Sequence, residues 1–173
     1  LAQETITIDP SDTTPTLSER MIPTAQRLLT TTLAQWFDKK ISPREQNHTA
    51  ATFCRQFDKT DGLIDFSLSA KDIYNRFRAF TPWPGTFAFW EGKTLKFLKI
   101  APLEEAAPLA PGIIRIDGKK MLLGTATAPL EIIELQREGG KALSAKDFLS
   151  GARNIDGAHL AGKEKEGTDV PPT

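Results

Sequence analysis

The sequence is poor in the side chains that bind metals or form disulfides. Cys54 is its one cysteine in 173 residues, and His48 and His159 are its two histidines. A single cysteine excludes an internal disulfide and a thiol-rich metal cluster, and two histidines add too few ligands for a zinc site. Cys54 stands beside Phe53 and Phe57, a setting more typical of a small packed side chain than of a nucleophile. We therefore predict no catalytic thiol and no metal centre.

Long apolar runs and an excess of one charge are also missing. No stretch approaches the roughly 20 apolar residues that a membrane-spanning helix needs, and the first residues lack the basic and then apolar pattern of a secretory leader. These absences predict a cytoplasmic protein without a membrane partner. The 22 basic residues balance the 22 acidic ones, although residues 47–160 hold 15 basic against 13 acidic side chains. That small surplus permits a basic face but does not require one.

The first fifty residues have the pattern of a strand, a helix and a linker. Thr5 to Ile8 alternate polar and apolar side chains, as in a half-buried strand. Thr16 and Glu19 have the spacing of a capping box at a helix start, and Pro23 predicts a kink or a later start. Residues 39–52 are polar and aperiodic, which predicts a linker. The helix would carry one apolar stripe, formed by Leu17, Met21, Ala25, Leu28, Leu29, Leu33 and Trp36.

The second half of the chain has the pattern of short strands and two short helices. Ser69 and Ser144 each precede an aspartate by three residues, which predicts two capped helices. Gly92 and Gly118 predict hairpin turns, and the polar composition after residue 161 predicts a flexible tail. Five short strands favour a mainly β fold with flanking helices, a small closed barrel of the oligonucleotide-binding (OB) type. The strands are predicted at Thr86–Trp90, Thr94–Ile100, Ile113–Ile116, Lys120–Gly124 and Leu130–Gln136.

A long ordered series of motifs resembles the C-terminal region of the methionyl-tRNA formyltransferase family. It runs from an Asp-Gly turn at Asp61 through a helix ending Arg-Ala-Phe at Phe80 to a Pro-Trp-Pro-Gly corner and an aromatic strand. Two departures are visible: Phe66 stands where the family usually has Trp, and Pro23 falls inside a helix that the family leaves unbroken. The resemblance covers nearly the whole chain to about Leu160. Further matches follow in order at Pro111-Gly112, Glu134-Leu135-Gln136 and Leu143–Gly151.

The resemblance implies a chain made of parts of two domains. Residues 1–40 would be a strand-helix remnant of an α/β formyltransferase domain, 41–52 a linker, 53–160 an OB-like barrel and 161–173 a flexible tail. The family's catalytic residues lie before the point where this sequence begins, so the resemblance implies an inactive fragment. The parent enzyme would transfer a formyl group from formyl-tetrahydrofolate, not bound by this segment, to methionine on initiator tRNA. The implied partners are initiator Met-tRNA and the missing N-terminal formyltransferase domain.

Two other functions are compatible with parts of the sequence. The barrel could be a packing or interaction module of a sugar-nucleotide formyltransferase, a reading that the neutral charge supports. The closing segment from Gln136 to Gly151 argues against it, because those relatives usually lack that ending. A free-standing oligonucleotide-binding protein is disfavoured by the helix at residues 16–37, which would have nothing to cover its apolar stripe.

The aromatic and acidic candidates favour structural roles. Trp83 offers a flat face for a ligand, but the flanking prolines favour a plug at the end of the barrel. Asp61 and Asp65 are spaced like paired carboxylates, yet nothing nearby would make such a pair useful, so we predict turn and capping roles. Phe87, Phe89 and Phe97 alternate in the manner of barrel-interior residues.

Basic residues are the candidate nucleic-acid-binding groups. Arg76 and Arg78, two apart, cannot share one face of a helix. In a regular strand, Lys96 would face away from Lys93 and Lys99. Scattered cations on a barrel and its neighbouring helix would suit phosphate contacts without sequence readout. The predicted set is Arg76, Arg78, Lys93, Lys96, Lys99 and Lys119.

Overall fold

The computed structural model describes residues 1–103, 106–152 and 154–163. Contacts divide the chain into two compact units, Leu1–Phe57 and Asp58–Thr173. The second unit thus begins five residues after the boundary expected at residue 53. Most of the predicted flexible tail, residues 164–173, lies outside the described residues. Within the described part of the chain, no helix is both long and apolar enough to cross a membrane.

The first unit is built on one helix, α1 (Thr14–Phe37). Its N-cap is Thr13 rather than Thr16, and the Thr13 N–H donates to Thr16 Oγ1 at 2.9 Å. The prediction of a start at Thr16 was wrong because Pro15 is accommodated in the first turn, where backbone N–H groups have no helical partner. The helix also continues through Pro23, so no delayed start occurs there.

Little of the first unit is buried. No residue of α1 is buried, and its stripe remains accessible, with Leu29 59% and Trp36 39% exposed. Residues 5–8 form no strand, because no described segment pairs with them. Cys54 is exposed rather than packed, and Phe53 beside it is 94% exposed, since neither a helix nor a strand forms around them.

The second unit contains a six-stranded antiparallel sheet. Its order is β1-β2-β5-β4-β3, with the short strand β6 also pairing β5. All five predicted strands are present within two residues of their expected ends, and β6 was missed. The strands are β1 (Thr86–Trp90), β2 (Lys93–Pro102), β3 (Ile114–Asp117), β4 (Lys120–Leu123), β5 (Leu130–Arg137) and β6 (Ala142–Ser144).

The sheet curls but does not close. Its edge strands β1 and β3 do not pair with each other, so the predicted closed barrel is replaced by an open one. The segment 157–163 bonds to both edges: Gly157 N donates to Ile114 O of β3 at 2.9 Å, and Ala161 exchanges two bonds with Phe89 of β1 at 2.8 and 2.9 Å. The predicted tail therefore begins too early, because residues 161–163 are held by backbone hydrogen bonds.

Two short helices cover the concave face of this sheet. The predicted caps are confirmed: Ser69 and Ser144 accept the N–H of the aspartate three residues later, each at 3.1 Å. These helices are α2 (Ala70–Phe80) and α3 (Ala145–Gly151). The buried faces of α2 and α3 join strands β1 to β5 in a single apolar core. This core gives the sheet a fixed surface on which exposed side chains can be positioned.

Strand register corrects the assignment of the aromatic residues. Phe97 pairs with Thr86, so it shares the core face with Ala88 and Trp90, whereas Phe87 pairs with Lys96 on the other face. Phe87 is nevertheless buried, because the chain before α2 covers it: Ile64 N donates to Phe87 O at 2.9 Å. The three phenylalanines therefore do not form one interior row.

Candidate nucleic-acid interface

The Pro-Trp-Pro-Gly corner projects its tryptophan into solvent. Trp83 is 60% exposed, so the prediction that it plugs the barrel was wrong. The interior position belongs to Trp90, which is 4% exposed and lies 5.9 Å from the Phe148 ring, centroid to centroid. Trp90 can reach the core because it ends β1 on the core face, whereas Trp83 precedes the strand.

The corner is held closely by its surroundings. Gly85 N donates to Phe80 O at 2.9 Å, which ties the corner to the last turn of α2. Gly62 approaches from the other side, and a Cβ at that position would lie 2.0 Å from Gly85 O. Only glycine permits this contact between two backbones. Trp83 is therefore an exposed side chain on a firmly placed segment.

A groove of about 350 Å³ runs beside Trp83, and we call it the Trp83 groove. One wall is the 81–85 corner and the other is the solvent-facing side of β2 and β5. The described residues that line it include no carboxylate. Its polar side chains include those of Lys59, Lys96 and the half-buried Gln136, and its apolar surface includes Trp83, Pro84 and Leu98.

The Trp83 groove continues toward the turn between β5 and β6 as a hollow of about 200 Å³. This part shares Lys59, Lys96 and Gln136 and ends at Glu138. The Glu138 carboxylate accepts the Thr94 N–H at 2.9 Å, so a backbone hydrogen bond from β2 holds this carboxylate. Lys59 and Lys96 line both parts of the groove, and Arg137 adds a cation beside Glu138 in the second part.

A bulge in β2 changes the expected directions of its lysines. The pairing with β5 shifts between Phe97 and Lys99, and Leu98 and Lys99 are both exposed. Because one extra residue enters the strand, Lys99 returns to the same face as Lys96. The expectation for a regular strand, with these two lysines on opposite faces, does not hold. Lys96 lines the Trp83 groove.

The other predicted basic residues lie elsewhere. Lys93 is exposed at the start of β2, opposite Trp90, and Lys119 is exposed in the turn between β3 and β4. Arg76 of α2 lies over the Phe80 ring at 5.8 Å, and the partly buried Arg78 lies over Tyr74 at 5.6 Å. The predicted set is thus spread over three regions, and Lys96 alone of the six lines the groove.

The two aspartates form local turns rather than a catalytic pair. Asp61 accepts the Asp58 N–H at 2.9 Å, and Asp65 accepts the N–H and hydroxyl of Ser67 at 2.9 and 2.6 Å. The Ser67 hydroxyl, with its N–H and the nearby positive charge of Arg76, lowers the pKa of Asp65 below its ordinary value. Within the described residues, no cluster of His, Cys, Asp or Glu could hold a metal ion.

Lys59, Gln136 and the exposure of Trp83 were the features that sequence reasoning missed. Lys59 stands just before the Asp-Gly turn, and Gln136 lies directly opposite Lys96 in the β2–β5 ladder. The alternation of β2 and β5 could have identified the Lys96–Gln136 pair in advance. The path of the chain before α2, which brings Lys59 to the groove, has no comparable local pattern.

Comparison with known proteins identifies the family. Residues 56–153 match the family described as formyl transferase, C-terminal domain, and the chain therefore belongs to that family. It is 40% identical over 154 residues to the methionyl-tRNA formyltransferase of Koribacter versatilis, covering 88% of this chain and 49% of the relative. It is 38% identical over 156 residues to that of Dehalococcoides mccartyi, covering 90% and 50%. The chain spans about half the length of these relatives.

Solved structures share the fold at low sequence identity. HypX from Aquifex aeolicus in complex with tetrahydrofolic acid has a TM-score of 0.54 and 12% identity, covering 79% of this chain and 26% of HypX. A substituted HypX variant has a TM-score of 0.55 and 15% identity, covering 75% and 24%. These similarities concern the fold alone, and they assign no function to individual residues of the chain.

Proposed function

We propose that this chain is the C-terminal part of a methionyl-tRNA formyltransferase acting in the cytoplasm. The whole enzyme transfers a formyl group from formyl-tetrahydrofolate to the methionine amino group of initiator Met-tRNA. The observation that carries this proposal is the identity of 38–40% over about nine tenths of the chain to relatives of that name. The N-terminal formyltransferase domain is the proposed partner that performs the chemistry.

The role we propose for this segment is to hold tRNA by its phosphates. Lys96 and Lys99 share the exposed face of β2, and Lys59 adds a third charge at the groove. Ammonium groups that neutralise phosphates release counterions, so the binding would weaken steeply with added salt. With so few contacts, the isolated chain should bind weakly and without discrimination between tRNAs.

No residue of this chain is assigned to the folate. The small cavity beneath α2, between Asp61 and Phe80, holds only about 10 Å³, the space of a single water molecule. A pterin ring does not fit there. We therefore derive no step through formyl-tetrahydrofolate, and we expect the isolated chain to transfer no formyl group.

Filter binding of the chain to initiator tRNA and to an elongator tRNA, across a range of salt concentrations, tests the proposal. We expect equal and salt-sensitive binding of the two tRNAs. Lys96→Ala should reduce the slope of log K against log salt by about one, as for one lost phosphate contact. Lys120→Ala is the matched control, because Lys120 Nζ already pairs with Glu131 at 3.1 Å. Undetectable binding to either tRNA at low salt would refute the tRNA-holding role.

A further inference from the structure

We propose that the Trp83 groove binds one unpaired nucleotide of an RNA, with its base on the Trp83 indole and its phosphate between Lys59 and Lys96. This inference rests on the proposed function and adds a defined subsite to it. It also adds a base-stacking contact to the phosphate contacts proposed above. Phosphate contacts alone read no base, whereas a stacking platform selects nucleotides that have left a helix.

The first argument is the placement of Trp83. An indole that is 60% exposed leaves a large apolar surface in water, and the corner that carries it is fixed by Phe80 on one side and Gly62 on the other. The platform is thus already in place before a ligand arrives, which lowers the entropic cost of binding. Leu98, 38% exposed across the groove, adds a second apolar surface for a base.

The second argument is the charge of the groove. Lys59 and Lys96 supply two ammonium groups, and the described residues that line the groove supply no carboxylate. Neither lysine forms an ion pair within the described part of the chain, whereas Lys120 and Arg137 do. Two uncompensated cations beside an aromatic face suit a ligand that combines an anion with a flat ring.

The third argument is the presence of polar groups suited to a base or ribose. Gln136 lies in register with Lys96, and its Nε2 donates to Gly140 O at 2.8 Å, which fixes the orientation of the amide. Thr86 also borders the groove, but it is 5% exposed and lies on the core face with Phe97, so its hydroxyl is not available to a ligand.

The size of the groove limits the ligand to a single nucleotide. Its volume of about 350 Å³ lies at the lower end of the range of ligand pockets, about 300–1,000 Å³. A base held between Trp83 and Leu98 needs both of its faces free of other bases. Double-stranded RNA keeps its bases stacked and is recognised by shape and backbone contacts, so it would not fill this site.

Tryptophan fluorescence of the full chain tests the inference. Trp36 is replaced by Phe to remove an exposed emitter, and Trp90, 4% exposed, gives a constant background. We titrate a single-stranded RNA hexamer, a blunt-ended RNA duplex and adenosine monophosphate. We expect quenching by the hexamer at low concentration, because its flanking phosphates can also contact Lys99 on the same face as Lys96. The mononucleotide, which lacks those phosphates, and the duplex should act at least tenfold more weakly. The hexamer signal should be lost in Trp83→Ala. Equal quenching by mononucleotide and hexamer would overturn the RNA assignment in favour of a free-nucleotide site.

Filter binding of Trp83 variants to tRNA separates this inference from the proposed function. Trp83→Ala should weaken tRNA binding about tenfold, as expected for one lost base-stacking contact, and Trp83→Phe should recover most of the loss. Thermal unfolding checks that Trp83→Ala folds. If tRNA binds in a salt-sensitive manner but equally well to Trp83→Ala, the nucleotide site is wrong and the tRNA-holding role stands. If the hexamer quenches Trp83 but no tRNA binds, the tRNA-holding role fails and the site stands.

Discussion

Asp65 stabilises the turn before α2 more strongly when its carboxyl group is ionised. The hydrogen bonds from Ser67 and the nearby Arg76 lower its pKa below the ordinary value of 3.8. A group whose pKa falls on folding contributes stability above its unfolded pKa and loses it as the pH falls through the folded value. We therefore expect the free energy of unfolding, measured with urea, to decline below about pH 4.

The variant Asp65→Asn tests the origin of this decline. An asparagine oxygen can still accept the Ser67 hydrogen bonds, but it does not titrate. The variant should therefore show a shallower loss of stability than the parent chain as the pH falls below about 4. An unchanged acid dependence in urea titrations would assign the effect to other carboxylates.

Gly62 is the residue whose substitution should disturb the Trp83 corner most directly. A Cβ at position 62 would meet Gly85 O at 2.0 Å, so one of the two backbones must move. We expect Gly62→Ala to lower the free energy of unfolding by about 1–3 kcal/mol, the usual cost of overpacking, and to shift Trp83 fluorescence. Gly151→Ala is the matched control, because no atom lies within 4 Å of the position that its methyl group would take in α3. Equal urea midpoints for the two variants would contradict this close contact.

At the scale of elements, the sequence predicts those parts whose cause is local. The Ser-x-x-Asp caps at Ser69 and Ser144 bond within their own first turns, and both helices begin where expected. Gly92 and Gly118 take positive φ in the two hairpin turns, which fixes the pairing of the strands beside them. Such features need no information about the rest of the chain.

Elements that depend on distant partners were not predictable in the same way. The bulge near Lys99 is set by how β2 fits β5, and the exposure of Trp83 and burial of Trp90 depend on how the corner and β1 pack in the fold. Residues 161–163 open the polar, Gly-containing stretch, yet they are held by backbone hydrogen bonds to Phe89 and Ile64, which lie far away in sequence. Composition alone therefore placed the barrel boundary a few residues too early, and it could not identify the groove.

Leu160 should anchor this edge segment to the core. It is fully buried, while its neighbour His159 is exposed. We expect Leu160→Ala to lower the free energy of unfolding by about 2–5 kcal/mol because it leaves a cavity between the sheet edges. His159→Ala should change it by less than about 0.5 kcal/mol. Chemical denaturation of both variants provides the measurement, and a small effect of Leu160→Ala would show that the segment is not part of the folded core.

At the scale of the whole molecule, the apolar core belongs entirely to the second unit. Every buried apolar side chain among the described residues lies between Ile64 and Leu160, and Asp12 is the one buried side chain described in the first unit. A domain with its own core can fold alone. The second unit alone should therefore determine the free energy of unfolding of the apolar core.

We expect a fragment that begins at Asp58 to fold with the same melting temperature as the full chain, within about 2 °C, in circular dichroism and calorimetry. A fragment that begins at Ser67 is the control, since it loses the buried side chains of Ile64 and Phe66 and should melt at a lower temperature. If the Asp58 fragment were unfolded, the first unit would have to supply contacts essential to the core.

The backbone hydrogen bonds between Phe89 and Ala161 can form only after both residues have been synthesised. A ribosome adds about 70 residues between these two positions, which at roughly 5–20 residues per second takes about 4–14 s. Throughout that interval the outer edge of β1 has no partner strand from this segment, and an open edge is a template for pairing with another chain. The nascent protein is therefore open to aggregation during this interval, while the part of the β1 edge at Phe89 still lacks its hydrogen-bond partner.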